Sequence, residues 1–237
     1  MKTLILAGGL GTRLAEETDS IPKPMVRIGE VPIVQHIMNR YSLFGYRDFV
    51  IAAGYKFEII RDYFDREKQF LKDKGWQVKV VDTGFVTQTA ERVLLVQELL
   101  GEKFFLTYGD GLADINISTL LKFHDESGKI GTVTAVRPPP RFGSLKIVHD
   151  LVHEFNEKNP QDVGWINGGF FVFNKEIFKY LDGQPGSLEG IPLANLAMDR
   201  ELSAHLHYGW WQPMDTLREK RDLEELWDGG APPWEKI

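Results

Sequence analysis

The chain has 237 residues, of which 43% are hydrophobic and 26% are charged, a balance that predicts a globular protein with a substantial core. Its formal net charge is −6 and it has no basic tract, so we expect neither nucleic acid nor a membrane as its main partner. It has no cysteine, which excludes disulfides and thiolate-bound metals. No apolar run approaches the roughly 20 residues that span a bilayer, and no leader pattern opens the chain, so we expect a cytoplasmic protein.

The first predicted strand, Lys2–Ala7, runs directly into a glycine-rich loop, and this junction has the features of a polyphosphate site. Glycines in residues 8–11 allow backbone N–H groups to approach phosphate oxygens closely. Arg13 can bind a phosphate through two hydrogen bonds. Ten residues further on, Lys23 lies between two prolines, which restrict the backbone around this compact charge.

Two common phosphate-binding patterns do not fit this loop. A Walker loop requires Gly-x-x-x-x-Gly-Lys-Ser/Thr, which is absent from the sequence. The dinucleotide pattern Gly-x-Gly-x-x-Gly/Ala could begin at Gly9, but its sixth position is Leu14. A tight strand-to-helix turn without a ligand is the alternative interpretation of the glycines alone, and Arg13 and Lys23 favour the phosphate site.

Strands and helices alternate through the first half of the chain. Thr89 is a candidate N-cap of one predicted helix, and the charged stretch Lys68–Lys74 is predicted to be solvated surface. The alternation predicts an α/β fold with a mostly parallel sheet flanked by helices, in which ligands bind beyond the carboxyl ends of the strands. The strands after the first are predicted at residues 48–53, 77–81 and 103–108.

The second half of the chain is rich in closely spaced strands. We expect it to extend the sheet and to form the other side of a cleft, with a soft boundary near residue 128 that divides a single domain, 1–237, into the halves 1–128 and 129–237. The predicted strands cover residues 130–136, 144–148, 152–157, 165–173 and 202–207. Helices are predicted at residues 115–125, 174–181, 191–200 and 216–227.

Two aspartates are candidate metal ligands. Asp110 follows an apolar strand and is flanked by two glycines, which exposes its carboxylate to the cleft. Asp215 follows another strand and immediately precedes the last helix. Mg²⁺ is usually held by one or two carboxylates together with substrate phosphates, so the pair could hold this ion if the fold brings it together. A turn aspartate and a helix N-cap are the alternative interpretations.

Other polar residues of the second half have weaker signals. Asn167 and Gly168 interrupt an apolar strand, which suggests a bulge or the close approach of a ligand. Glu189 could bind hydroxyl groups or begin a helix, Lys158 could contact an anion or be a solvated turn residue, and Gly143 lies in a turn. The six histidines have no metal-ligand spacing, and no Ser/His/Asp set is recognisable.

Residues 6–14, Leu-Ala-Gly-Gly-Leu-Gly-Thr-Arg-Leu, and the following Lys23-Pro24-Met25 resemble the signature of the sugar-1-phosphate nucleotidyltransferases. The resemblance covers the whole chain and is greatest to the cytidylyltransferase subgroup, especially over residues 166–173 and 211–218. It implies a Rossmann-like sheet extended by a sugar-binding subdomain. It also implies a Mg²⁺-assisted reaction of CTP with a sugar 1-phosphate, with glucose 1-phosphate expected, that releases pyrophosphate. A homo-oligomer is possible in this family.

The resemblance also implies roles for individual residues. Catalysis would depend on Arg13, Lys23 and Asp110, and Mg²⁺ would be held by Asp110 and Asp215. The nucleotide would be bound by Leu6, Gly8, Gly9, Gly11, Thr12, Arg13, Lys23, Thr89 and Gly109. The sugar phosphate would be bound by Gly143, Glu157, Lys158, Asn167, Gly168 and Glu189.

The sequence departs from the cytidylyltransferase pattern at three places. Ala90 and Glu91 replace two glycines near the base, a change expected to alter the approach of the backbone to the base. The stretch between Phe64 and Val78 is shorter, and Asn159 is inserted in the family's Glu-Lys-Pro motif. Another nucleotide or another phosphorylated acceptor is therefore an alternative. A non-catalytic nucleotide-binding regulator and a dinucleotide-dependent oxidoreductase are the alternatives from other classes, and Leu14 argues against the second.

Overall fold

The computed structural model of the chain describes residues 1–139, 143–157, 164–183 and 186–236. The strands are β1 (Lys2–Ala7), β2 (Arg27–Ile28), β3 (Val31–Pro32), β4 (Asp48–Ala53), β5 (Gln77–Asp82), β6 (Lys103–Tyr108), β7 (Gly111–Ala113), β8 (Gly131–Val136), β9 (Ser144–Val148), β10 (Leu151–Asn156), β11 (Ile166–Asn174), β12 (Leu202–Leu206) and β13 (Trp211–Pro213). The helices are α1 (Ala15–Thr18), α2 (Ile33–Leu43), α3 (Phe57–Arg66), α4 (Lys68–Lys74), α5 (Thr89–Leu95), α6 (Ile117–Ser127), α7 (Phe178–Leu181), α8 (Ile191–Met198) and α9 (Leu217–Asp228).

One mixed sheet contains more than half of these strands. In the described part of the chain its seven strands follow the order β12-β8-β11-β6-β1-β4-β5. The pairs of β1 with β4 and β6, of β4 with β5, and of β8 with β12 are parallel, whereas β11 runs antiparallel to both β6 and β8. The predicted α/β fold is therefore confirmed, and a strand of the second half continues the sheet of the first.

The sheet is buried on both faces because its inner strands are apolar at most positions. Successive residues of β1 point to opposite sides, so Ile5 packs into one core and Leu4 and Leu6 pack into the other. The same alternation sends Phe105 of β6 to the first core and Phe104 to the second. A continuous apolar run therefore forms a rigid strand, and this strand fixes the position of the residues that follow its carboxyl end.

Most predicted elements lie where the sequence indicates, but the short strands β2, β3, β7 and β13 were not predicted. The charged stretch Lys68–Lys74 has no buried residue, as predicted for solvated surface, and it also forms the unpredicted helix α4. Gln88, not Thr89, is the N-cap of α5, so the predicted cap was wrong by one residue. No helix in the described ranges has the length and apolarity needed to cross a bilayer.

Candidate active site

A cleft with a volume of about 720 Å³ opens where β1 and β6 end. All of the residues predicted to contact the nucleotide line it. Asp110 and Asp215 also line it, as do Asn167 and Gly168 from β11. The carboxyl ends of the parallel strands therefore bring these candidates together with a strand of the second half, as expected for an α/β sheet.

The glycines of the loop after β1 have different structural reasons. A Cβ atom at Gly8 would lie 2.1 Å from Cζ of Arg92, so a side chain there would displace a buried guanidinium. Gly11 has φ of 66°, in the left-handed region that glycine adopts without strain. Gly9 has no neighbour within 4 Å of its ideal Cβ position, which leaves its backbone open to a ligand. Close approach to phosphate therefore explains Gly9 better than the other two.

Arg92 stabilises this loop through hydrogen bonds from its buried side chain. Its side chain comes from α5, is 3% exposed, and donates hydrogen bonds to the carbonyl oxygens of Ala53 and Gly8, each at 3.1 Å. A further bond reaches the hydroxyl of Thr83. One guanidinium thus joins the carboxyl ends of β1 and β4 to α5. Burial lowers the pKa of Arg92, although the charge of Asp82 opposes this effect.

Four charged side chains, Arg13, Lys23, Asp110 and Asp215, form what we call the ion cluster. Nζ of Lys23 lies 2.7 Å from Oδ2 of Asp110 and 2.6 Å from Oδ1 of Asp215. A guanidinium nitrogen of Arg13 lies 2.7 Å from the other oxygen of Asp215. Two cations therefore alternate with two carboxylates, and their formal charges cancel.

A short antiparallel pair of strands brings the two aspartates together. β7 follows Asp110 and β13 precedes Asp215, and the two strands pair with Gly111 opposite Pro213. The backbone N–H of Met214 also donates to the carbonyl oxygen of Asp110 at 2.8 Å. Because an antiparallel register places residue pairs at the same end, both carboxylates emerge beside Lys23. Sequence periodicity could not show this, since each strand has only three residues.

The environment of Lys23 keeps its ammonium charged. Burial alone lowers the pKa of Lys23, but the negative charge of Asp110, the hydrogen bonds to both aspartates and the charge of Asp215 together outweigh it and raise the pKa above its ordinary value. The carboxylate oxygens around this ammonium are hard donors of the kind that Mg²⁺ prefers. Within the described residues no cluster of three or more histidine or acidic side chains could hold a metal ion. A metal at this pair would therefore need further oxygens from a substrate.

Four side chains form a hydrogen-bonded group on another side of the cleft, which we call the polar wall: Thr89, Tyr108, Asn167 and Glu189. The hydroxyl of Tyr108 donates to Glu189 Oε1 at 2.5 Å, and the hydroxyl of Thr89 donates to Glu189 Oε2 at 2.8 Å. Nδ2 of Asn167 donates to the Tyr108 oxygen at 3.0 Å. Glu189 does not itself line the cleft, but it contacts two residues that do.

The remaining sugar-phosphate candidates lie elsewhere. Gly143 and Glu157 are neighbours at the base of the β9–β10 hairpin, because a Cβ at Gly143 would lie 2.8 Å from a carboxylate oxygen of Glu157. Neither is among the residues that line the cleft, so their contact with a sugar stays a prediction. Lys158 lies outside the described residues.

Sequence reasoning assigned no role in the site to Tyr108 or to Trp211. Trp211 lines the cleft and donates its indole N–H to the carbonyl oxygen of Gly168 at 2.8 Å. The position of Tyr108, immediately before Gly109 and Asp110 at the end of β6, was the available signal for its place in the cleft. Nothing in the pattern around Trp211 indicated its partner, because β13 was not predicted.

The family model described as Nucleotidyl transferase matches residues 2–212. With this sheet and this cleft, the chain belongs to the nucleotidyl transferase family, as the loop and Lys23 predicted. The glucose-1-phosphate cytidylyltransferase of Salmonella typhi is 45% identical over an alignment of 253 residues that covers 99% of this chain and 98% of that protein.

More distant relatives share the same framework. The mannose-1-phosphate guanyltransferase of Gibberella zeae is 32% identical over 92% of this chain and 62% of its own length. The structure of a UDP-glucose pyrophosphorylase in complex with UDP-glucose superposes with a TM-score of 0.76 at 17% identity, covering 97% of this chain and 99% of that one. This structural likeness supports the fold, and the enzyme class follows from the family.

Proposed function

We propose that the chain transfers the cytidylyl group of CTP to glucose 1-phosphate and releases pyrophosphate. The ion cluster carries this proposal, because it joins two cations and two carboxylates through three ion pairs of 2.6 to 2.7 Å in a cleft formed by both halves of the chain. The choice of CTP and glucose 1-phosphate follows the name of the relative that is 45% identical over nearly the full length. We propose the cytoplasm as its location.

The proposed reaction is an in-line displacement at phosphorus. A phosphate oxygen of the sugar phosphate bonds to the α-phosphorus, and the bond from the α-phosphorus to the oxygen bridging it to the β-phosphorus breaks as pyrophosphate leaves. Such a transfer depends on positioning and on neutralisation of charge, so it requires no nucleophile from the protein. Lys23 would stabilise the charge that develops on the phosphates, and Arg13 would bind the triphosphate. Arg13 can reorient easily, because its side chain is 73% exposed whereas that of Lys23 is 9% exposed.

We propose that Asp110 and Asp215 hold a magnesium ion together with phosphate oxygens of the nucleotide. This proposal is supported by the two hydrogen bonds that Lys23 Nζ donates, one to each aspartate, since both carboxylates already face one positive charge. Bound Mg²⁺ would supply charge neutralisation on the triphosphate. Lys23 would then leave the carboxylates and donate its hydrogen bonds to phosphate.

The metal assignment has a test that does not depend on turnover. Electron paramagnetic resonance can follow the binding of Mn²⁺ in the presence of CTP. Asp110→Asn should weaken this binding at least tenfold, because an amide is a poorer ligand than a carboxylate. Asp62→Asn, which alters an exposed aspartate on α3 paired with Arg61, is the control and should bind Mn²⁺ like the wild type. Equal Mn²⁺ affinity of Asp110→Asn and the wild type would refute the ligand role.

The base is tested by pyrophosphate release from glucose 1-phosphate with CTP, UTP, dTTP, ATP and GTP in separate reactions. We expect release with CTP and identification of the sugar product as CDP-glucose by mass spectrometry. Release with a different nucleotide would retain the reaction and change the base. Binding of nucleotide without any release would support a regulator in place of an enzyme.

A further inference from the structure

Tyr108 occupies a fixed position between the nucleotide and sugar candidates. It is the last residue of β6, and its ring packs edge-on against Phe171 with a centroid distance of 5.9 Å. A Cβ atom at Gly169 would lie 2.5 Å from Cδ2 of this ring, so the absence of a side chain there makes room for it. The ring cannot swing away without displacing its neighbours, and its hydroxyl is therefore held at one point of the cleft.

The hydrogen bonds around this hydroxyl have a defined direction. The backbone N–H of Gly169 donates to Oδ1 of Asn167 at 2.8 Å, which turns Nδ2 of the same amide towards Tyr108. The Tyr108 oxygen accepts from Nδ2 at 3.0 Å. A phenol has only one proton to donate, and that proton goes to Oε1 of Glu189 at 2.5 Å.

A second hydroxyl holds the other oxygen of the same carboxylate. Thr89 accepts from the backbone N–H of Leu188 at 2.7 Å and donates to Glu189 Oε2 at 2.8 Å. Both oxygens of Glu189 are thus oriented by hydroxyl donors from different elements.

This arrangement leaves a specific set of groups for a ligand. After its two bonds, the carboxamide of Asn167 retains one N–H donor and one oxygen lone pair, and the carboxylate of Glu189 retains lone pairs only. Asn167 lines the cleft, and Glu189 is exposed beside it, so together they can bind neighbouring hydroxyl groups, as a sugar ring presents. Their relative orientation depends on the one oxygen atom that joins them, which belongs to Tyr108.

We propose that Tyr108 is a positioning residue for the acceptor sugar, which fixes Asn167 and Glu189 so that both bind hydroxyl groups of a sugar 1-phosphate. The assignment rests on the proposed function and adds to it a determinant of sugar specificity. Tyr108 acts through its two partners and takes no part in the transfer itself. Its removal should therefore change the affinity for the sugar phosphate more than the turnover number or the affinity for the nucleotide.

The test compares the wild type with Tyr108→Phe, which removes only the phenol oxygen. We expect the KM for glucose 1-phosphate to rise about tenfold, the effect of one hydrogen bond to a charged group, while kcat and the KM for CTP change less than about twofold. Tyr63→Phe is the matched control, because the hydroxyl of Tyr63 on α3 donates to Gln35 and lies away from the cleft. The control should leave all three constants unchanged.

A double-mutant cycle separates positioning from packing. If Tyr108 acts through Glu189, then Tyr108→Phe should have a much smaller effect on the KM for glucose 1-phosphate in a Glu189→Gln background. Additive effects, or an equal rise of both KM values in Tyr108→Phe, would overturn the assignment, as would an unchanged KM. A wild-type protein without turnover on any sugar 1-phosphate would overturn the proposed function and this assignment with it, so the two failures are distinguishable.

Discussion

The two sides of the cleft, the ion cluster and the polar wall, are each stabilised by a different kind of interaction. The ion cluster consists of charges in contact, and a charge attracts any opposite charge with little regard to direction. The polar wall consists of hydroxyl, amide and carboxylate groups whose donors and acceptors follow one order, from Gly169 through Asn167 and Tyr108 to Glu189. An ion cluster can exchange partners with an incoming charged ligand, whereas an ordered wall discriminates between ligands by shape and polarity. We therefore expect changes in the cluster to affect turnover and changes in the wall to affect affinity.

The largest effect should come from the ion cluster. Lys23→Met removes the cation that Asp110 and Asp215 share and leaves two carboxylates facing one another. It also removes the charge that we propose to stabilise the phosphates in the transition state. We expect kcat to fall about 1000-fold, in the upper range for loss of one stabilising group in an active site.

The control for this variant is Lys220→Met. Lys220 is a half-buried lysine that also bridges two carboxylates, those of Glu17 and Glu224, but it does not line the cleft. Its kcat should remain near that of the wild type. If Lys23→Met is folded by circular dichroism and still has near-normal turnover, then the proposed contrast between the two sides of the cleft is wrong.

A change at Arg92 should affect both sides at once, because this residue joins them. Its helix, α5, begins with Thr89 of the polar wall. Its guanidinium donates a hydrogen bond to the carbonyl oxygen of Gly8, at the start of the glycine-rich loop after β1. Arg92→Met would leave buried carbonyl oxygens without a donor, so we expect the free energy of unfolding to fall by about 3 kcal/mol. Both KM values should rise together.

Urea denaturation and steady-state kinetics on the same samples test this expectation. Arg61→Met, on the exposed surface of α3, is the control and should leave the urea midpoint and both KM values unchanged. A rise in only one KM value for Arg92→Met would show that Arg92 supports one side alone.

The sequence predicted the ion cluster better than the polar wall, for a physical reason. The glycine-rich loop and Asp110 each follow an apolar run, and such runs identify buried strands whose carboxyl ends share one edge of the sheet. Lys23 was a candidate because it lies between two prolines. That Asp110 and Asp215 share one lysine could not be predicted, because it depends on two three-residue strands about 100 residues apart in the chain. Their register is visible only in the folded protein.

The polar wall depends on contacts between elements that no local pattern records. Tyr108, Asn167 and Glu189 come from β6, β11 and the turn before α8, and their donor order follows from a single backbone N–H at Gly169. Asn167 and Glu189 were candidates because of their residue types and the resemblance. Tyr108 was not a candidate, because a tyrosine at the end of an apolar strand also fits the core, and its position before Gly109 and Asp110 was the only signal to the contrary.

Mild acid should destabilise the fold through buried histidines that do not line the cleft. Burial lowers the pKa of His36, His124 and His205 below the ordinary value of 6.5, and none of the three lines the cleft. In the unfolded chain these histidines take up protons near pH 6.5, while the folded protein resists protonation. The unfolded state therefore binds more protons, and stability, complete above pH 6.5, should decrease as the pH falls below it.

His36 offers the clearest variant for this test. Its Nε2 lies 3.0 Å from the carbonyl oxygen of Ile28, and its Nδ1 accepts from the indole N–H of Trp234 at 3.2 Å, so only the neutral ring satisfies both partners. His36→Gln should reduce the dependence of the urea midpoint on pH between 7.5 and 5. His153→Gln, on the exposed strand β10, should retain the full dependence. If the urea midpoints of both variants depend equally on pH, then His36 does not cause the loss of stability in acid.

The smallest effect is expected where the sequence departs most from its relatives' pattern near the base. Ala90 is fully buried, and Glu91 accepts a hydrogen bond from the backbone N–H of Gln88 at 3.1 Å, which caps the first turn of α5. Neither residue lines the cleft. Replacing both by glycine should therefore leave the order of nucleotide preference unchanged, while the free energy of unfolding falls by about 2 kcal/mol through the loss of the cap and the flexibility of glycine. A changed preference among CTP, UTP and dTTP would show that the backbone at the start of α5 reads the base, and the polar wall would then select the nucleotide as well as the sugar.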